Sequence, residues 1–172
     1  LFLGTQRPLL KTISKFSQTS ANAYNGNYPV PSHVLVSVID PVSGQPWAHD
    51  GTGLVYGDYP QSDHERFEFH TGNLAQQEKL RVFLQNTVPC GSKVVLYTCD
   101  NHNLGDILGG SGPNTNPGLV QAFQSIGGTQ FSNMQNNIPY ILSGRKCGSG
   151  TEEFGATDTS KIFMYDTLSV KR

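Results

Sequence analysis

Four polar residues in a row, Asp100-Asn-His-Asn103, follow an apolar run that reads as a strand. Strand ends are where open α/β sheets expose backbone and side-chain groups to a ligand. An acid, two carboxamides and an imidazole at such a place can grip the hydroxyls of a polyol, or a cation. In the competing reading Asp100, Asn101, His102 and Asn103 only stabilise turns by bonding their own backbone. Calcium asks for several carboxylates at short spacing, which Asp100 and Asp106 do not supply, so no metal is expected. Asn136 and Asn137 are a second pair able to donate to and accept from hydroxyls. Trp47, with Tyr56 and Tyr59, offers flat apolar faces in a Gly-rich stretch. Such rings stack on sugars or anchor a protein partner, although Trp47 can equally plug a sheet edge.

Other candidates point away from catalysis. Asp63-His64-Glu65 and His70 lack the spacing of a zinc helix, and adjacent strand residues face opposite ways. Cys99 or Cys90 as a nucleophile, with His102 as base, is disfavoured because Asp100 beside the thiol works against the thiolate. Gly109-Gly-Ser-Gly112 lacks the lysine and the strand–helix setting of a phosphate loop. Arg145 and Lys146 read as a solubilising surface pair. The three cysteines Cys90, Cys99 and Cys147 have no metal-type spacing. Two of them can form one disulfide, or all three can stay reduced as small hydrophobes. No cofactor is expected.

These residues need a scaffold. A length of 172 residues suits one domain, 1–172, with enough chain to bury a core. Charged residues are only 15% of the chain, and 19 glycines and 10 prolines favour strands and long polar connections over a helical bundle. A net charge of −1 and the absence of a basic run argue against nucleic acid as a partner, and no stretch is apolar enough to insert in a membrane. The chain starts at Leu1, which suggests a processed protein or a piece of a larger one.

Residues 9–16 read as a strand, and 33–40 as a strand buried on both faces that ends in a Pro/Gly turn. Residues 46–63 read as a surface excursion and 65–70 as a half-buried strand. Asn73 is an N-cap, with Gln76 at the capping-box position, for a helix that places Leu80, Phe83, Leu84 and Val88 on one face. Pro89 and Gly91 stop it, and residues 93–99 form a second central strand. A long loop over 100–114 leads to a helix capped by Asn116-Pro117 and ended by Gly127-Gly128. Residues 140–144 form another strand, and 161–165 and 167–170 close the sheet. The expected fold is α/β, a compact sandwich of a mostly antiparallel or mixed sheet with two flanking helices.

With the elements in place, the chain resembles the interleukin-like EMT inducer (PANDER-like) domain over residues 33–146. His33-Val-Leu-Val-Ser-Val-Ile-Asp-Pro-Val-Ser-Gly44 is similar to that family's first strand and turn. Phe67-Glu-Phe69, the helix–turn–strand of 80–96, the helix of 119–127 and Tyr140-Ile-Leu-Ser-Gly-Arg-Lys146 follow in the family's order. Segments 1–32 and 147–172 would be additional strands and loops. The stretch around Asp40-Pro-Val-Ser-Gly-Gln-Pro-Trp47 is similar to versions embedded in large type IX-secreted surface proteins of Bacteroidota. Such proteins often carry a gingipain-like cysteine-peptidase domain elsewhere in the chain.

The resemblance implies a non-catalytic extracellular or cell-surface recognition module, secreted as part of a larger protein, that binds carbohydrate or a neighbouring protein domain. In glycan-binding members an acid and an arginine hold the sugar. Asp100 matches the acid, while the arginine position falls near Asn137, so the cationic half of that pair is absent here. The expected ligand surface is Trp47, Asp100, Asn101, His102, Asn103, Asn136 and Asn137. Two rival readings are a structural spacer that contacts neighbouring domains or copies of itself, and a hydrolase of unfamiliar type using His102 and Asp100 as an acid–base pair.

Overall fold

The computed structural model describes residues 7–8, 33–44, 46–47, 67–99, 102–109, 114–157, 164 and 167–168. The expected strand at 9–16, the body of the 46–63 excursion, Tyr56, Tyr59, Asp63, His64, Glu65, Asp100, Asn101 and most of 161–165 lie outside them.

In chain order come β1 (Arg7–Pro8), β2 (His33–Ile39), β3 (Phe67–His70), α1 (Leu74–Val82), β4 (Lys93–Cys99) and α2 (Leu104–Leu108). They are followed by α3 (Pro117–Gln124), β5 (Tyr140–Arg145), β6 (Gly150–Phe154) and β7 (Thr167–Leu168). Five strands make one antiparallel sheet in the order β3-β2-β4-β5-β6. The α/β class expected from the sequence is the one observed.

Strand period explains the layering. Val34, Val36 and Val38 of β2, Val94 and Leu96 of β4, and Tyr140 and Leu142 of β5 share a buried cluster with residues from all three helices. Leu35, Val95, Tyr97 and Ile141 alternate onto the opposite face, where Met164 packs with them. Both faces of the central strands are therefore buried, which is why their sequences are nearly continuous in apolar residues.

The helix caps follow from residue type. Asn73 Oδ1 accepts from Ala75 N at 2.8 Å and Gln76 N at 3.4 Å. The reciprocal capping-box bond is replaced, because Asn73 N donates to His70 O. Asn116 Oδ1 accepts from Leu119 N at 3.1 Å, with Pro117 at the first helical position. After α1 the chain takes a π-helical turn over Phe83–Thr87, closed by Val88 N donating to Phe83 O at 3.0 Å. The end of α3 sits on β5: a Cβ on Gly144 would lie 1.6 Å from Ile126 O, so only glycine permits that approach.

Four expectations are corrected. The loop after β4 contains α2, because Leu104, Ile107 and Leu108 bury one helical turn's apolar stripe within a Gly/Asn-rich stretch. Among the described residues the sheet is closed by β6. Only its alternate residues Glu152 and Phe154 are half-buried, so it carries no apolar run. β7 pairs instead with β1 in a separate two-stranded ladder. Lys146 is no surface cation: it is buried, and Nζ donates to Leu84 O at 2.6 Å, Gln85 O at 3.2 Å and Ser125 Oγ at 2.8 Å. An ammonium thus satisfies the orphan carbonyls at the end of the π turn, and burial holds its pKa below the usual lysine value.

Candidate functional site

The antiparallel register gives the sheet two distinct ends. At one end β4 begins and β5 finishes, with Lys93 opposite Arg145. There Cys90 and Cys147 form a disulfide, Cα to Cα 5.2 Å, and Arg145 Nη1 donates to Gly91 O at 2.7 Å. At the same end Asp40 Oδ1 accepts from Ser43 N at 2.7 Å, Val42 N at 2.9 Å and Ser43 Oγ at 3.0 Å, which lowers its pKa and fixes the turn after β2. Trp47 belongs here too. Its backbone N–H donates to Val38 O at 2.7 Å, and its half-buried ring meets Phe83 edge-on at 6.4 Å. Trp47 covers the edge of β2 and stands apart from the polar loops with which the sequence grouped it.

The other end gathers His102, Asn103, Asn136 and Asn137 into a clasp. Asn137 N donates to His102 O at 2.9 Å, and His102 N returns a bond to Asn137 Oδ1 at 3.1 Å. Asn137 holds a φ of 63°, in the left-handed region that asparagine tolerates better than most residues. The His102 ring is buried, with Nε2 2.6 Å from Ile138 O and Nδ1 accepting from Leu104 N at 3.4 Å. Burial lowers its pKa, against a smaller opposing effect of the Ile138 carbonyl, so the ring is neutral with its proton on Nε2.

Asn136 Oδ1 accepts from Asp106 N at 3.1 Å, capping α2 from a different loop. Gly105 makes this possible, since a Cβ there would lie 2.7 Å from Asn136 N. Asn103 Oδ1 accepts from Thr71 Oγ1 at 2.8 Å, and Gln77 and Asn116 extend the network to α1 and α3. The carboxamide oxygens of Asn103, Asn136 and Asn137 therefore hold loops together, while among the described residues their nitrogens make no hydrogen bond.

Beside this clasp lies an open concavity of about 370 Å³ lined by Ser132, Asn133, Gln135, Ile138, Phe154, Gly155 and Ala156. Glu152 organises its walls. Oε2 accepts from Thr129 N, Thr129 Oγ1 and Gln130 N at 2.8 to 3.0 Å, and Oε1 accepts from the Tyr140 hydroxyl at 2.7 Å. The Tyr140 ring packs on Phe154 at 5.0 Å, and Gly155 N donates to Pro139 O at 2.7 Å. Burial, then the negative charge of Glu152, pushes the Tyr140 pKa well above its usual value, so the phenol stays a donor. Sequence reading missed this concavity. The signal available was compositional: five carboxamides among the eight residues 130–137.

Among the described residues, no helix is long and apolar enough to cross a membrane, and no group of three His, Cys, Asp or Glu is placed to hold a metal ion. The chain matches no protein-family model and no curated protein.

Proposed function

We propose that this chain is a non-catalytic recognition domain that works outside the cell, as part of a larger secreted or surface protein, and binds neutral carbohydrate. The observation that carries the reading is the polar end of the sheet. Amide-rich loops are tied into one rigid rim by neutral hydrogen bonds, and donors and acceptors are left facing out. Sites of this kind suit hydroxyl-rich ligands, which need fixed directional partners more than charge. The Cys90–Cys147 bond supports an oxidising compartment. The resemblance to the interleukin-like EMT inducer domain supports the same setting.

His102 supports a structural role over general acid–base catalysis, since both ring nitrogens are committed to backbone groups. A printed array of neutral mono- and oligosaccharides, probed with the folded chain, tests the proposal. Selective, saturable binding of a saccharide subset is expected, and binding of none contradicts it.

A further inference from the structure

Resting on that reading, we infer that the concavity between the 132–138 loop and the end of β6 is the sugar-ring subsite, distinct from the Asp100–Asn137 position that the family resemblance implies. Among the described residues its lining does not include Asn137. Among the described residues that line it none is charged: one hydroxyl, two carboxamides and one aromatic ring surround two small residues, Gly155 and Ala156, that leave backbone within reach. A flat apolar face beside neutral donors and acceptors matches a saccharide, whose C–H face packs on a ring while its hydroxyls bond at the rim.

The polar groups are available. Among the described residues the side chains of Ser132 and Gln135 make no hydrogen bond, and both residues are exposed. Asn133 spends one donor on Gln130 Oε1 at 3.1 Å, which keeps its oxygen as an acceptor and fixes its plane. The walls are preorganised by Glu152, which joins the loop leading to Ser132 with Tyr140 beneath Phe154. Fixed walls reduce the entropy lost on binding. At about 370 Å³ the space is near the low end of small-molecule pockets, roughly 300–1,000 Å³. It suits one ring with its substituents rather than an extended oligosaccharide.

The test is titration calorimetry with the saccharide that binds best on the array, using the wild-type chain, the double variant Asn133→Ala/Gln135→Ala, Phe154→Leu and Asp100→Ala, each checked for folding by thermal melting. The double variant keeps every core residue and is expected to weaken binding at least tenfold. Phe154→Leu keeps apolar volume but removes the ring, and is expected to weaken it several-fold. Unchanged affinity in both, or loss confined to Asp100→Ala, overturns the placement while leaving recognition intact. If the wild-type chain binds no saccharide, placement and recognition fall together.

Discussion

The two ends of the sheet are built from different chemistry. One is locked by a disulfide, a buried ammonium on helix carbonyls and a carboxylate-centred turn. The clasp at the other end is held by neutral amide and imidazole bonds that pair loop with loop, and the concavity beside it is braced by the Glu152 carboxylate. Covalent and charge-assisted contacts resist replacement, whereas neutral carboxamides keep unused donors that a ligand can engage. The contrast assigns stability to the first end and recognition to the second. Substitutions should separate the two properties accordingly.

The largest expected effect comes from the disulfide. Cys90→Ser with Cys147→Ser opens a loop of sequence separation 57. In the chain-entropy account this costs about 4 kcal/mol. Chemical denaturation should show that loss, and saccharide affinity measured below the melting transition should not change. A fall in affinity without unfolding would break the proposed division.

Next is Lys146→Met, which keeps the aliphatic length but leaves Leu84 O, Gln85 O and Ser125 Oγ without their donor. Unpaired buried acceptors make this worth about 2–3 kcal/mol. Amide exchange should rise first in the π turn over Phe83–Thr87.

At the other end, Asn137→Ala removes the bond to His102 N and puts a Cβ residue without a polar side chain at φ 63°. A stability loss of about 1–2 kcal/mol is expected. Asn137→Gly should recover the backbone part of it. Equal losses in the two variants would show that the hydrogen bond alone matters.

The smallest effect is a pH dependence. The folded His102 pKa lies below its unfolded value near 6.5, so the unfolded chain binds more protons in the interval between them. Stability from this group is complete above about pH 6.5 and falls as pH drops toward the folded pKa. His102→Gln should flatten that part of the stability curve.

Much of the scaffold was legible. β2, β4 and β5 announce themselves as apolar runs, and Asn73, Asn116-Pro117 and Gly127 mark helix ends by the physics of unsatisfied backbone groups. What stayed hidden depends on tertiary context. α2 is too short for its stripe to stand out, and β6 has no apolar run because it is an edge. Lys146 reads as exposed until α1 and α3 are seen to converge on it. Of the site, the loops bearing His102, Asn103, Asn136 and Asn137 were found but their internal bonds were not. The concavity was invisible because its walls come together through Glu152, which accepts from Thr129 and Gln130 on one loop and from Tyr140 on β5.

The most direct test is an amide NMR titration of the labelled chain with an array-selected saccharide. Saturating shifts are expected at residues 132–138 and 154–156, with residues 90–93 and 145–148 still. Shifts centred on the disulfide end, or none at saturating sugar, would contradict this expectation.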